Sequence, residues 1–159
     1  MDAAGARFRP ARPEEAELLG EMTIAGVSYW GHDVNFPENV ESLRQNHLPT
    51  PEYIEESPVF VLEEDGNVVG FYGLRRHDDF VDLVYMFLET DRIGHGYGRR
   101  LWDHAVSQAA PLSDKMRILS DPGATRFYAA MGASKERELD AGNGFRLTLF
   151  WYDLPPAAE

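Results

Sequence analysis

The chain contains no cysteine. That absence excludes disulfides, thiolate zinc sites and a covalent cysteine intermediate. Nor is there any run approaching the roughly 18 apolar residues of a membrane span. The N-terminal stretch MDAAGARFRPARPEE lacks the apolar centre of a signal peptide, so the expectation is a cytoplasmic protein with no membrane partner. Positive charge is scarce: 15 Lys and Arg against 27 Asp and Glu leave a net charge of −12. Such a surface repels phosphate backbones, which argues against nucleic acid as a partner. The histidines, at 32, 47, 77, 95 and 104, never fall into HExxH or another ligand spacing, and no metal is expected.

What is present reads as an ordinary soluble domain, 43% hydrophobic and 26% charged. The 159 residues suit one domain, 1–159, with a core from about 6 to 154. FRPAR, 8–12, reads as a first strand. Pro13 opens a helix whose first turn holds Glu14 and Glu15, with Leu18, Leu19, Met22 and Ala25 as its apolar stripe. PENVESLRQNH and TPEYIEE follow as short helices, the second with Thr50 as N-cap and Pro51 at N1. Residues 58–90 read as three antiparallel strands with turns at Glu64-Asp65-Gly66-Asn67 and His77-Asp78-Asp79. A helix is expected from about 96 to 110, then a strand at 115–120, a helix opened by Asp121-Pro122 and ended by Gly132, and a closing hairpin. The strands flanking the central helix are joined through it and so are expected to be parallel within a mixed sheet.

Three glycines alternate in RIGHGYGRRLW, at Gly94, Gly96 and Gly98, between a strand and a helix. Glycines there let the backbone turn sharply and approach a ligand, while successive N–H groups and the helix N-terminus favour an anion. Neither the dinucleotide GxGxxG register nor the GK[ST] of a P-loop is met.

Ile93-Gly94-His95-Gly96-Tyr97-Gly98 resembles the Q/R-x-x-G-x-G/A signature of the GNAT superfamily of acetyl-CoA-dependent N-acyltransferases, with Ile93 where Gln or Arg is usual. SDPGATRFYAAMGA, 120–133, is similar to the second signature of that family: Phe127-Tyr128 and Gly132 fall in place, and Gly123-Ala124 stands where an Asn-Ala pair is common. The resemblance implies an α+β fold, a splayed mixed sheet of six or seven strands flanked by about four helices. It implies acetyl-CoA as donor, no metal, and a small-molecule or peptide amine as acceptor. The donor is expected along Phe87, Leu88 and Glu89, along Ile93, Gly94, His95, Gly96, Tyr97, Gly98 and Arg99, and at Gly123 and Phe127. Arg99 and Arg100 cannot both face the loop on one helix.

Transfer needs a neutral amine, a donor for the oxyanion and a proton for the thiolate. By family analogy a backbone N–H near Phe87 or Leu88 serves the oxyanion and Tyr128 the thiolate. The competing reading of Tyr128 is an apolar stripe with Ala124, Phe127 and Met131. Asp82, eleven positions before Ile93, is the base that the same analogy selects, expected to share a face with Val84, Met86 and Leu88. The alternative for Asp82 is an exposed acid after a turn, with Tyr85 and Glu89 as reserves. Trp30 and His32, beside Tyr29, are acceptor-site candidates together with Tyr85; loop-packing anchors are the plainer reading. FRLTLFWYDL serves either a homodimer or only the sheet. Set against the enzyme is a non-catalytic GNAT-like module that binds CoA as a sensor.

Overall fold

The β-branched run after Pro58 builds the centre of the molecule in a computed structural model, which describes residues 5–29, 48–142 and 145–156. Strand β1, Arg7–Pro10, leads through a 3-10 turn at Pro13–Glu15 into α1, Ala16–Tyr29. Helix α2, Pro51–Glu56, starts as its sequence predicts: the Tyr53 N–H donates to Thr50 Oγ1 at 3.1 Å. Strands β2 (Val59–Glu64), β3 (Asn67–Arg76) and β4 (Val81–Leu88) form the meander. Its first turn holds Asp65 and Gly66 at φ 52° and 81°, the mirror-image turn that matches hairpin twist.

Helix α3, Tyr97–Ala109, crosses over to β5, Lys115–Ser120. A turn at Pro122–Ala124 precedes α4, Thr125–Ala130; β6, Ser134–Gly142, and β7, Phe145–Asp153, close the chain. The seven strands form one sheet in the order β1-β2-β3-β4-β5-β7-β6, in which only β4 and β5 are parallel. This is the mixed α+β architecture expected from the sequence. The helix expected at 37–47 and the side chains of Trp30 and His32 lie outside the described residues.

Each sheet face carries its own core. On the α3 face Tyr72, Leu74, Leu83, Leu101, Trp102 and Ile118 pack together; on the other, Leu19 and Met22 of α1 meet Ile54, Val61, Phe71 and Tyr85. The stripe of α1 differs in phase from the expectation. Leu18 and Ala25 are exposed, while Leu19, Met22, Thr23, Gly26 and Val27 are buried. Small residues set that phase: a Cβ on Gly26 would stand 2.2 Å from the Phe87 ring, so glycine lets α1 lie against β4.

The feature that positions the site is a divergence. β4 pairs with β5 only at Val81–Met116, Asp82–Arg117 and Leu83–Ile118. Beyond Leu83, β4 continues beside β3 to Leu88, and β5 continues beside β7 to Ser120. A V opens between them. Val84 is the extra residue of a bulge, between the pairs Leu74–Leu83 and Gly73–Tyr85.

Candidate active site

The V holds a cleft of about 290 Å³. One wall is β4 from Leu83 to Leu88; the other is Leu119 and Asp121. The glycine loop at its mouth contributes Ile93, Gly94, Gly96, Gly98 and Arg99, and Leu101, Ala124, Phe127 and Tyr128 complete the lining. Gly94 and Gly96 take φ of 90° and 91°, where side chains are strained, and a Cβ on either would meet nothing within 4 Å. Gly96 is the N-cap of α3. The first N–H groups of a helix have no partner within it and sit at the positive end of its dipole. Open space, glycine backbone and helix start coincide at the cleft mouth, which suits a phosphate.

Two arginines follow with divided roles. Arg99 lines the cleft. Arg100 turns away, donating to the Ala6 carbonyl at 2.6 Å and lying over the Phe8 ring. Tyr97 also turns away: it is 1% exposed, and its hydroxyl donates to Glu64 Oε2 at 2.7 Å. Arg92 bonds the same Glu64 carboxylate and the Tyr97 hydroxyl, pinning the loop to the end of β2. His95 borders a separate hollow with Asp91, Arg92 and Tyr97. Gly123 and Glu89 are exposed and stand off the cleft wall.

Tyr128 is 8% exposed and faces the cleft from α4, packed against Trp102, Phe127 and Phe150. It is at once part of the core and part of the cleft wall. Burial, and secondarily the charge of Asp121, push its phenol well above the usual tyrosine range.

On β4 the backbone supplies donors. Glu89 N–H bonds the Val69 carbonyl on the β3 side. Successive strand N–H groups point to opposite edges, so those of Leu88 and Met86 face the V.

Asp82 is placed differently from its expected face. The bulge at Val84 shifts the alternation: Val81, Leu83, Met86 and Leu88 share the α3 face, while Asp82 lies on the other with Tyr85 and Phe87. Parity counting across Val84 therefore misassigns it. Arg117 donates from Nε to Asp82 Oδ1 at 2.6 Å and from Nη2 to Oδ2 at 2.8 Å. His77 Nε2 stands 2.8 Å from Oδ2. The cluster ties β4 to β5 at the closed end of the V. Tyr85 belongs to the core of that same face, its phenol pushed up to about 12 by burial.

Sequence reasoning misses Asp121. The residue reads as an N-cap, but its side chain makes no capping bond and lines the cleft. Burial raises its carboxyl from the usual range to about 7. The second signature holds a signal: in N-x-x-A-x-x-F-Y, counting back from Tyr128 sets Asp121 on the first position. Among the described residues no group of three His, Asp or Glu side chains could hold a metal ion.

A parallel strand pair that splays beside a glycine loop and a helix start is the arrangement that the GNAT resemblance implies for a coenzyme A-dependent acyltransferase. The model of the acetyltransferase (GNAT) domain matches residues 55–132, from α2 to the end of α4, and the chain belongs to the GNAT superfamily. No protein with a curated description matches its sequence significantly. Solved structures share the fold at low identity. A GCN5-related N-acetyltransferase of Rhodopseudomonas palustris is 19% identical, with TM-score 0.77 over 97% of this chain and 99% of that one. The PaiA N-acetyltransferase of Thermoplasma acidophilum, solved with coenzyme A, is 15% identical, with TM-score 0.77 over 93% and 98%. A putative acetyltransferase of Salmonella typhimurium, solved with acetyl-CoA, is 18% identical, with TM-score 0.65 over 98% of both chains.

Proposed function

We propose that the protein transfers an acetyl group from acetyl-CoA to an amine by direct attack with both substrates bound. The observation that carries this reading is the V itself, an apolar cleft whose mouth is an anion cradle. A phosphate-bearing, thiol-ended donor needs both parts. Two of the similar structures hold coenzyme A or acetyl-CoA. When bound, the donor supplies an activated thioester.

The chain's residues divide the work. The amides around Gly94, Gly96 and Gly98, with Arg99, hold phosphate oxygens. The apolar wall from Leu83 to Leu88 takes the arm and excludes water. One backbone N–H on that edge of β4, at Leu88 or Met86, is the oxyanion donor. Tyr128 is the acid that meets the thiolate. On the opposite face Asp82 orients His77 and receives the amine's proton through it, and Tyr85 stands on the acceptor side; Trp30 and His32 stay acceptor-site candidates on the sequence alone.

The test is CoA release from acetyl-CoA, followed with a thiol reagent, across polyamines, aminoglycosides, amino acids, arylamines and short peptides. Lacking cysteine, the protein adds no background. Release that depends on one amine class supports the reading. Binding of acetyl-CoA by calorimetry with no amine-dependent release favours a CoA-binding module instead.

A further inference from the structure

On the sheet face that α1 and α2 cover, one cross-strand row runs Arg75, Asp82, Arg117, from β3 through β4 to β5. Two arginines flank one carboxylate, and only one of them takes it. Arg117 holds both Asp82 oxygens, at 2.6 and 2.8 Å, and His77 stands 2.8 Å from Oδ2. Arg75 turns the other way, its guanidinium carbon 5.3 Å from the centre of the Tyr53 ring. Among the described residues it bonds no carboxylate; Glu52, Glu55 and Glu56 of α2 are exposed, and none of them reaches it. The row therefore keeps one positive charge in excess.

The support under Arg75 is fixed. The Tyr53 N–H is tied to Thr50, and its hydroxyl donates to the Leu74 carbonyl at 2.8 Å, one residue before Arg75. An aromatic face attracts a guanidinium without neutralising its charge. A second donor stands beside it. Gly73 precedes Arg75 by two residues, so the two share a face of β3. Tyr53 and Tyr85 close over Gly73: a Cβ there would stand 2.5 Å from the Tyr53 hydroxyl and 3.2 Å from the Tyr85 ring. Tyr85 thus leans from β4 onto β3 at the position next to Arg75, its ring 5.6 Å from that of Tyr53. Among the described residues its hydroxyl has no hydrogen-bond partner, and it is not sealed from solvent. Burial holds the phenol at about 12, so it keeps its proton at neutral pH.

This pair lies where the cleft meets that face. Val84, the bulge residue before Tyr85, lines the cleft and also packs against the core around Tyr85; Phe87 does both as well. Resting on the acetyl-transfer reading, we propose that Arg75 and the Tyr85 hydroxyl hold a carboxylate of the acceptor, and that the acceptor class is free amino acids. A carboxylate takes charge-assisted bonds from a guanidinium and neutralises the excess charge of the row. A polyamine or aminoglycoside would set more positive charge against Arg75, which is unfavourable. Arg75 and Val84 stand on neighbouring strands, about 5 Å apart in the pairing direction, so one small molecule carries both carboxylate and amine.

The test pairs amino acids with their carboxamides, alanine with alaninamide and methionine with methioninamide, and reads CoA release from acetyl-CoA. The carboxamide keeps the amine and loses the negative charge. Its amine is the less basic, so more of it is neutral near pH 7 and reactivity alone favours the amide. The wild type should nevertheless prefer the acid by about tenfold or more in kcat/KM, through KM. Arg75→Ala should erase that preference, Arg75→Lys should restore part of it, and Tyr85→Phe should lose about threefold. Acetyl-CoA Kd should stay within about twofold throughout. Dipeptides, whose amine lies one peptide unit further from the carboxylate, should react more slowly than free amino acids. Carboxamides, dipeptides or plain amines used as well as the amino acids, or a preference that survives Arg75→Ala, overturns the proposal and leaves acetyl transfer standing. Acetyl-CoA bound with no acceptor of any class releasing CoA removes both.

Discussion

Asp121 carries a stability signature of its own. Its folded pKa of about 7 lies above the unfolded value near 3.9, so the folded state binds the extra proton between those limits. Stability from this group is full below about pH 4 and is lost as pH rises to about 7. The slope is at most about 1.4 kcal/mol per pH unit. Asp121→Asn has no proton to lose. Its melting temperature should match the wild type near pH 4, rise above it through pH 7, and keep a constant lead beyond, which thermal melts across pH will show. A gap that does not change with pH would contradict the burial. At Gly96 the expectation is opposite in sign. With φ at 91° and open space around it, Gly96→Ala costs backbone strain of about 1–3 kcal/mol rather than a clash, and displaces the amides proposed to hold phosphate. The melting temperature should fall and acetyl-CoA Kd should rise about tenfold or more. Tyr128→Phe keeps the ring against Trp102 and Phe150, so it should lower kcat with little change in Kd or stability.

Among the elements, the β4–β5 pair decides the geometry. Three register pairs hold the strands together, and the half-buried Asp82–Arg117 pair crosses the middle one. Breaking it should cost roughly 1–2 kcal/mol. A double-mutant cycle with Asp82→Asn and Arg117→Ala, read by denaturant unfolding, separates anchor from base. Similar losses with coupling of about that size mark an anchor. A kcat loss with Asp82→Asn and His77→Gln far beyond that with Arg117→Ala marks the proton route. At this scale the sequence also stops being legible. The hairpin at Asp65-Gly66, the Thr50 cap and the glycine loop are local, set by residues within a few positions, and the sequence shows them. The bulge at Val84 depends on how β3 pairs across it, and no neighbouring residue announces it. Asp-Pro is a proper cap signal, yet the Asp121 side chain makes no capping bond and the residue lines the cleft, which its neighbours in sequence do not announce. On α1, hydropathy selects Leu18, while close approach of Phe87 to Gly26 selects the buried face.

On the scale of the whole molecule, one sheet opened along one seam gives two separately cored faces, with α3 and α4 on the side of the cleft and α1 and α2 on the other. A chain of net charge −12 gathers Arg92, Arg99 and Arg100 around the glycine loop, where they serve respectively as loop anchor, cleft wall and β1 contact. The resemblance of the two signatures to the GNAT pattern, 31 positions apart from Ile93 to Ala124, becomes physical here, because both line one cleft. We assign acceptor recognition to the face that Asp82 and Tyr85 share, as part of the proposed function. The most direct measurement of the account is amine-dependent release of CoA from acetyl-CoA by the wild-type protein. Release that saturates in both substrates and collapses in Tyr128→Phe without loss of acetyl-CoA binding is the predicted result. Tight binding of acetyl-CoA with no amine able to accelerate release, or equal rates in wild type and Tyr128→Phe, would contradict it.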